Sequence, residues 1–150
     1  YPDRPEDKVP IGYITNGVHA STWTAALWGD LYSRYLDPDW DTKVLDPALW
    51  AKVDQIPDEE IWWRHQELKV RLVAHARHRI KQARQHRGED WNYIQAADLI
   101  LDPNILTIGF ARRFSPYKRG DLLLRDAERA MKIFSNPDRP VQIIFSGKAH

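Results

Sequence analysis

The sequence contains no cysteine among its 150 residues, which excludes disulfide bonds and thiolate metal sites. This absence fits the reducing cytoplasm, where we expect the protein to reside. The formal net charge is only +1, so the chain as a whole gives no reason to invoke nucleic acid or an anionic membrane. No apolar run approaches the roughly 20 residues that span a bilayer, and the polar, proline-rich stretch 1–10 is unlike a signal peptide.

Several motifs that identify common catalytic and binding sites are also missing. The sequence has no GxGxxG, P-loop, HExxH or GxSxG, so nucleotide binding, zinc-protease and serine-hydrolase interpretations based on them lack support. His19 has no second ligand nearby at metal spacing, and we expect no metal site. The histidines of the middle region are interpreted as surface or packing residues of one helix: His65, His75, His78 and His86.

Both ends of the sequence look cut. It begins at Tyr1 instead of a methionine, and it stops at His150 directly after an apolar run that is typical of a buried strand. We therefore expect a fragment of a longer protein.

Tryptophan is abundant, and all seven residues lie within the first 91 positions. Such side chains either stack on the apolar faces of sugar rings or fill a hydrophobic core, and core packing is the commoner role. The seven are Trp23, Trp28, Trp40, Trp50, Trp62, Trp63 and Trp91.

The clearest predicted element is a helix over residues 58–87. Three acids follow Pro57, where the helix dipole favours negative charge, and Gly88 is a natural C-cap. Apolar residues recur at three- and four-residue steps over 61–83. The many cations leave a nucleic-acid-binding module open, but a solvated face, or one that contacts another part of a larger protein, is the favoured interpretation. They are Arg64, Lys69, Arg71, Arg77, Arg79, Lys81, Arg84 and Arg87.

Shorter elements are predicted before this helix. Residues 11–15 form a β-like run that ends at an Asn-Gly turn signal. A short helix capped by Ser21-Thr22 is expected to carry Trp23 and Leu27 on one face. Residues 47–53 predict one or two helical turns.

The last third of the sequence predicts strand, helix and strand. Residues 105–110 and 141–146 are near-continuous apolar runs, typical of strands that are buried on both faces. Residues 120–134 between them have the spacing of an amphipathic helix. This order argues for a parallel βαβ unit and an α/β fold class. Because two parallel strands do not complete a sheet, we expect the domain to be incomplete.

A basic loop follows the first of these strands. It carries Arg112, Arg113, Lys118 and Arg119, four cations in eight residues. In doubly wound sheets, ligands bind beyond the C-terminal ends of the strands. Arginine presents a planar fork to phosphate oxygens and lysine a point charge, so the loop predicts an anion site for phosphate. Residues 147–150 follow the second strand and are expected at the same edge.

Four stretches of the sequence resemble the α-glucan (glycogen, starch, maltodextrin) phosphorylase family. They are residues 15–19 with Thr22-Trp23, residues 109–114, residues 117–119 and residues 145–150. The second and third together are similar to the phosphate-binding stretch of that family: a basic residue, Arg, three residues, then Tyr-Lys-Arg. The resemblance runs across the whole chain, whereas the family enzymes are several times longer.

The resemblance implies a glycosyltransferase-B architecture, in which two Rossmann-like domains face a cleft. Residues 1–15 would be the tail of the first domain. Residues 16–104 would be the helical region that opens the second domain, and residues 105–150 its first βαβ unit. The implied reaction is phosphorolysis of α-1,4-glucan by orthophosphate to α-glucose 1-phosphate, and the full-length protein is a possible homo-oligomer.

The resemblance also implies roles for individual residues. Arg113 and Lys118 match the catalytic cations that hold the substrate phosphate. Asn16, His19 and Tyr117 match the sugar-binding region. The implied cofactor is pyridoxal 5'-phosphate, with Arg112 near its phosphate at a position where many members have Lys. The family's cofactor lysine lies in a downstream segment that nothing in this sequence matches, and most of the first domain is missing too. The resemblance therefore implies that the isolated chain folds poorly and has no activity on its own.

A sugar-nucleotide-dependent glycosyltransferase of the same two-domain fold is the alternative enzyme. It too would hold the phosphate of its donor with an Arg and a Lys after a strand. The pairing of Arg112-Arg113 with Tyr117-Lys118-Arg119 favours the phosphorylase.

Overall fold

A computed structural model describes residues 1–149 as two units, Tyr1–Asp58 and the residues from Glu59 onward. The first unit is helical, and the second combines helices with a small parallel sheet. Among residues 1–149, no helix has the length and apolarity needed to cross a bilayer.

The first unit contains three short helices: α1 (Ala20–Trp23), α2 (Ala26–Tyr35) and α3 (Pro47–Trp50). Its core consists of five buried apolar side chains, Leu31, Leu36, Trp40, Leu49 and Ile56. The carboxylate of Asp46 accepts a hydrogen bond from the Ala48 amide and so caps α3, which confirms the helical turn predicted after position 46.

Aromatic rings surround Tyr32 in this unit. Its ring centroid lies 5.9 Å from Trp28, 5.2 Å from Trp40 and 5.7 Å from Trp50, the last two edge-on. Burial raises the pKa of the Tyr32 phenol. Of the seven tryptophans only Trp40 is buried, so the expectation that they fill a core is wrong for most of them within the described residues.

Two predictions for the first unit are wrong. Residues 11–15 have no strand partner and no regular structure, and Ile14 is fully exposed, so an extended run without a neighbour to pair with does not become a strand. Ser21-Thr22 lie inside α1, whose N-cap is His19. Thr24 and Ala25 are extended and separate α1 from α2, so Trp23 and Leu27 do not share a helix.

Helix α4 (Asp58–His86) begins the second unit and confirms the predicted long helix. Gly88 follows it with a φ of 68°, the left-handed conformation of a helix C-cap, which glycine adopts without strain. His75, His78 and His86 are exposed, as expected for the surface of a helix.

The cations of α4 hold the next segment in place. The Arg77 guanidinium donates to the carbonyls of Ile100 and Leu101 at 2.8 and 2.7 Å. Lys81 donates to Gln95 and Asp98, and Arg84 donates to the Tyr93 carbonyl while its guanidinium lies 3.8 Å from the ring centroid. The segment that they hold comprises α5 (Trp91–Gln95), a 3-10 turn (Ala96–Leu99) and the two residues that follow it. Part of the basic face is therefore occupied by the chain's own carbonyls and is not a free surface for nucleic acid.

Strands β1 (Leu106–Ala111) and β2 (Val141–Ser146) form a parallel pair, which confirms the predicted α/β fold class. The register joins Leu106 to Val141 and Ala111 to Ser146. The expected burial on both faces is wrong within the described residues, because Leu106 is 63% exposed. The Gln142 side chain also joins β2 to the segment before β1. It accepts a hydrogen bond from the Asp102 amide and donates one to the Asp102 carbonyl, both at 2.8 Å.

The connection between the strands contains α6 (Ala127–Phe134). It is shorter than the predicted helix over 120–134, because the Asp126 carboxylate accepts from the Arg129 amide and caps the helix at that point. A 3-10 turn, Leu122–Leu124, occupies part of the preceding stretch.

Candidate functional site

The candidate site lies at the C-terminal edge of the β1–β2 pair. The Arg112 amide donates to the Ser146 carbonyl at 3.0 Å, and the Phe114 amide donates to the Lys148 carbonyl at 3.1 Å. A parallel bridge joins Phe114 to Ala149. The loops that follow the two strands are therefore held together, and residues 147–149 lie at the same edge as the basic loop. His150 lies outside the described residues.

Gly147 allows this close approach of the two loops. A Cβ atom on Gly147 would lie 1.9 Å from the Arg112 carbonyl oxygen and 3.0 Å from the Phe114 ring. Both distances are shorter than normal contacts, and the first is sterically impossible without movement. Glycine at this position is thus what lets the main chain of the basic loop pack against β2.

The second half of the basic loop is a tight turn. Pro116–Lys118 forms a 3-10 turn, and Arg119 closes it with a φ of 49°, in the left-handed region that L-residues other than Asn and Asp seldom adopt. Gly120 follows beside the Phe110 ring, since a Cβ added to Gly120 would lie 3.4 Å from the nearest ring carbon. The loop is therefore anchored at both ends, by Phe114 and by Gly120.

The four cations of this loop remain available for an anion. Arg112, Arg113 and Arg119 are exposed and Lys118 is half-buried, with its Nζ 4.7 Å from the centroid of the Tyr117 ring. Within residues 1–149, none of the four forms an ion pair with an acid. Asp121, the nearest acid in the sequence, pairs instead with Arg125 at 3.1 Å. Its hydrogen bond from the Arg125 guanidinium holds the pKa of the Asp121 carboxyl below the ordinary value.

In the described residues no acid forms an ion pair with this loop, and its guanidinium and ammonium groups are donors of the kind that bind oxyanions. Arginine and lysine donors beyond the ends of parallel strands are a recurring arrangement for binding an oxyanion. Among residues 1–149 no group of three or more His, Cys, Asp or Glu side chains is placed to hold a metal ion.

Ser115 is a residue of this site that sequence reasoning missed. It lies between Arg113 and Lys118 and is 9% exposed, although its neighbours in the loop are mostly exposed. Its Oγ is enclosed and has no hydrogen-bond partner in the described structure. A serine between a phenylalanine and a proline gives no sequence signal of burial, because serine is common in exposed turns.

Asn16 and His19, the predicted sugar contacts, belong to the first unit. Asn16 is exposed in a segment without regular structure. The Nδ1 atom of His19 lies 2.7 Å from the Thr22 hydroxyl and 3.2 Å from the Ser21 hydroxyl. The Nδ1 atom of His19 is therefore directed at side chains of α1, the helix that His19 precedes.

Open cavities flank the two faces of the β1–β2 pair. One, of about 700 Å³, is lined by Phe110, Phe145 and Leu123 together with the cations Lys118 and Arg119. Another, of about 540 Å³, lies between β1 and the Leu68–Leu72 turn of α4 and is largely apolar. Two of the loop cations thus line the same hollow as apolar side chains, and Asp126 and Arg129 also contribute to its wall.

These features describe an α/β chain with an exposed basic loop at the C-terminal edge of a parallel pair of strands. Comparison with known proteins identifies relatives of the chain. The chain is 43% identical to a glycogen phosphorylase of Aquifex aeolicus over 145 residues, 42% identical to a maltodextrin phosphorylase of Thermococcus litoralis over 146 residues, and 38% identical to a glycogen phosphorylase of Mycobacterium tuberculosis over 144 residues. Each match covers 96 or 97% of this chain. By sequence, the chain is thus a relative of the α-glucan phosphorylases and corresponds to one segment of them.

The match is limited to that segment. The chain spans 21%, 17% and 16% of the length of these three relatives, respectively. No protein-family profile and no solved structure matches the chain.

Proposed function

We propose that this chain is the part of an α-glucan phosphorylase that supplies its substrate-phosphate site. The full-length protein would catalyse reversible phosphorolysis of an α-1,4-glucan end by orthophosphate, giving α-glucose 1-phosphate. The observation that carries the proposal is the basic loop, whose cations have no acidic partner in residues 1–149 and which β2 holds at the edge of the sheet. The names of its relatives supply the reaction class.

In this proposal Arg113 and Lys118 bind orthophosphate. Arg113 provides a planar fork, and Lys118, which Tyr117 holds through its ring face, provides a point charge. Tyr117 would lie beside the sugar and the phosphate, and Asn16 and His19 would contact the glucosyl unit.

Arg112 would bind the phosphate group of pyridoxal 5'-phosphate. The residue fits an added anion, because its amide is fixed to β2 while its guanidinium is exposed and has no acidic partner in the described chain. The resemblance assigns the anchoring lysine to a segment outside this sequence. When bound, the cofactor would act through its phosphate group and not through the chemistry of its ring.

Electrostatics explains why such a site needs several cations. Two phosphate groups held close together repel each other, and the repulsion is stronger where water is excluded. Glycosyl transfer also develops positive charge on the sugar in an oxocarbenium-like transition state, which an adjacent phosphate stabilises. Fixed guanidinium and ammonium groups offset the repulsion between the phosphates, so both can stay beside that charge.

The finer architecture is part of the same proposal. The β1–β2 unit would open the second Rossmann-like domain of a glycosyltransferase-B fold. Residues 1–15 would end the first domain, and residues 16–104 would form the helical region at the start of the second domain, ahead of this unit. A cytoplasmic location and a homo-oligomeric full-length protein are further predictions.

The test is a comparison of two charge-removing variants in the full-length protein. Arg113→Ala should lower kcat/KM for orthophosphate by roughly 10²- to 10³-fold, as expected when a donor to a charged transition state is lost. Arg139→Ala is the matched control, because Arg139 is exposed beyond the opposite, N-terminal end of β2, and it should behave as wild type. The assay is release of glucose 1-phosphate from maltodextrin at varied orthophosphate.

A full-length protein whose glycosyl transfer does not depend on orthophosphate would contradict the proposal. The sugar-nucleotide-dependent glycosyltransferase would then be the better assignment, and activity with a nucleotide sugar donor would establish it.

A further inference from the structure

Lys148 is a further cation at the C-terminal edge of the β1–β2 pair, outside the basic loop. It follows β2 and is exposed. Its main-chain carbonyl accepts the hydrogen bond from the Phe114 amide at 3.1 Å, so the main chain of Lys148 is fixed against the basic loop. This contact does not use the Lys148 ammonium group, which is therefore a candidate donor for a ligand bound at the edge.

The register of the strand pair continues beyond the ends of both strands. β1 and β2 pair with an offset of 35 positions along the chain. The bridge that follows them, from Phe114 to Ala149, has the same offset. Arg113 therefore lies opposite Lys148. Because paired strands lie about 4.8 Å apart, the two long side chains start from neighbouring main-chain positions and can reach the same ligand.

Two cations at opposite positions of a strand pair repel each other, and like charges so placed are destabilising. Among residues 1–149, no acid forms an ion pair with Arg113 or Lys148 that would offset this repulsion. An oxyanion between them would do so, and it would accept a charge-assisted hydrogen bond from each. Arg113 offers a planar fork of donors, and Lys148 offers three N–H donors on a flexible stem.

We propose that Lys148 is a further ligand of orthophosphate, which it binds together with Arg113. The phosphate is then held from both strands, by Arg113 and Lys118 from the loop after β1 and by Lys148 from the segment after β2. An anion held from two sides has one position beside the sugar, and such fixed geometry favours reaction between two bound groups. This inference rests on the proposed function, since it takes orthophosphate as the substrate and Arg113 as its ligand.

The experiment removes the charge of Lys148 in the full-length protein. Lys148→Gln should raise the KM for orthophosphate about tenfold with kcat little changed, as expected for the loss of one hydrogen bond to a charged group. The KM for glucose 1-phosphate in the reverse direction should rise too, because the ester carries the same phosphate group. The KM for maltodextrin should stay that of wild type, whereas a purely structural lysine would not separate the phosphate substrates from the glucan. Lys148→Arg keeps the charge and should restore most of the affinity.

Lys132→Gln is the matched control. The Lys132 ammonium is exposed on α6 and pairs with Glu128 at 2.8 Å, so this variant removes the same charge away from the strand ends. All its KM values should be those of wild type. Lys148→Gln keeps the main-chain contact with Phe114, so it should fold. Without orthophosphate its Tm should equal or exceed that of wild type, because a repulsion is relieved, and the rise in Tm caused by orthophosphate should shrink.

The outcomes separate this inference from the proposed function. If Arg113→Ala raises the KM for orthophosphate and Lys148→Gln does not, the phosphate site stands and the role of Lys148 is wrong. If Lys148→Gln instead lowers the content of pyridoxal 5'-phosphate, measured by its absorbance, and leaves the KM for orthophosphate unchanged, Lys148 binds the phosphate of the cofactor and the inference is also wrong. If glycosyl transfer by wild type does not depend on orthophosphate, the proposed function and this inference both fail.

Discussion

Replacing Gly147 by alanine should separate the two loops that build the phosphate site. The added Cβ would lie 1.9 Å from the Arg112 carbonyl oxygen, whereas side-chain Cβ atoms almost never come within 3.0 Å of another heavy atom, so the main chain must shift by more than about 1 Å. That shift breaks the hydrogen bonds that join Arg112 to Ser146 and Phe114 to Lys148. Two hydrogen bonds at about 1 kcal/mol each, with the accompanying loss of packing, give a destabilisation of roughly 2–4 kcal/mol.

Urea unfolding and the KM for orthophosphate measure the two consequences of Gly147→Ala in the full-length protein. The free energy of unfolding should fall, and the KM should rise because Arg112 and Arg113 lose their fixed position. Gly109→Ala is the control, since a Cβ on Gly109 in β1 would have no heavy atom within 4 Å and the φ of this residue is not positive. If Gly147→Ala unfolds within about 0.5 kcal/mol of wild type and binds orthophosphate as tightly, the steric reasoning is wrong.

Three further changes test the two units separately. Arg77→Met keeps the apolar stem of the side chain but removes two hydrogen bonds to carbonyls. Urea unfolding should therefore show a fall of about 2 kcal/mol in the free energy of unfolding, and a fall below about 0.5 kcal/mol would refute the anchoring role. The hydrogen bond from Lys43 holds the pKa of Asp37 below its ordinary value, so the pair contributes stability above about pH 4 that is lost as the pH falls through the lowered pKa. Wild type and Asp37→Asn should therefore differ in stability at pH 7 and converge near about pH 2, and a constant difference would contradict this. Leu31→Ala removes a fully buried side chain and should lower the free energy of unfolding by about 2–5 kcal/mol. Leu45→Ala changes an exposed side chain and should lower it far less.

The elements that the sequence predicted well are those governed by local rules. Helix α4 was predictable because three local signals indicate the same 29-residue helix: the acids at its start, the spacing of its apolar residues and Gly88 after its end. The β1–β2 pair was predictable because two apolar runs flank a helical segment. The run over 11–15 has the same local character but lacks a partner, and a single sequence does not reveal whether a partner exists.

The details that escaped prediction depend on contacts between distant residues. Arg77 binds carbonyls 23 and 24 positions away, and a helical arginine gives no sign of whether it faces solvent or main chain. The start of α6 was misplaced because Asp126 was not recognised as its cap. In the candidate site, the cations were evident from the sequence, but the enclosed hydroxyl of Ser115 follows from how the loop folds back.

The parallel pairing of β1 with β2 also has a consequence for how this region folds. Thr107 meets Gln142 across 35 positions, so β1 leaves the ribosome well before its partner. Helix α4 is held by hydrogen bonds between residues close in sequence and forms within microseconds, whereas closing such a long crossover is slow because its entropy is lost before the strands pair. During that interval β1 presents an unpaired apolar edge, and this stretch is where aggregation of the nascent chain should begin.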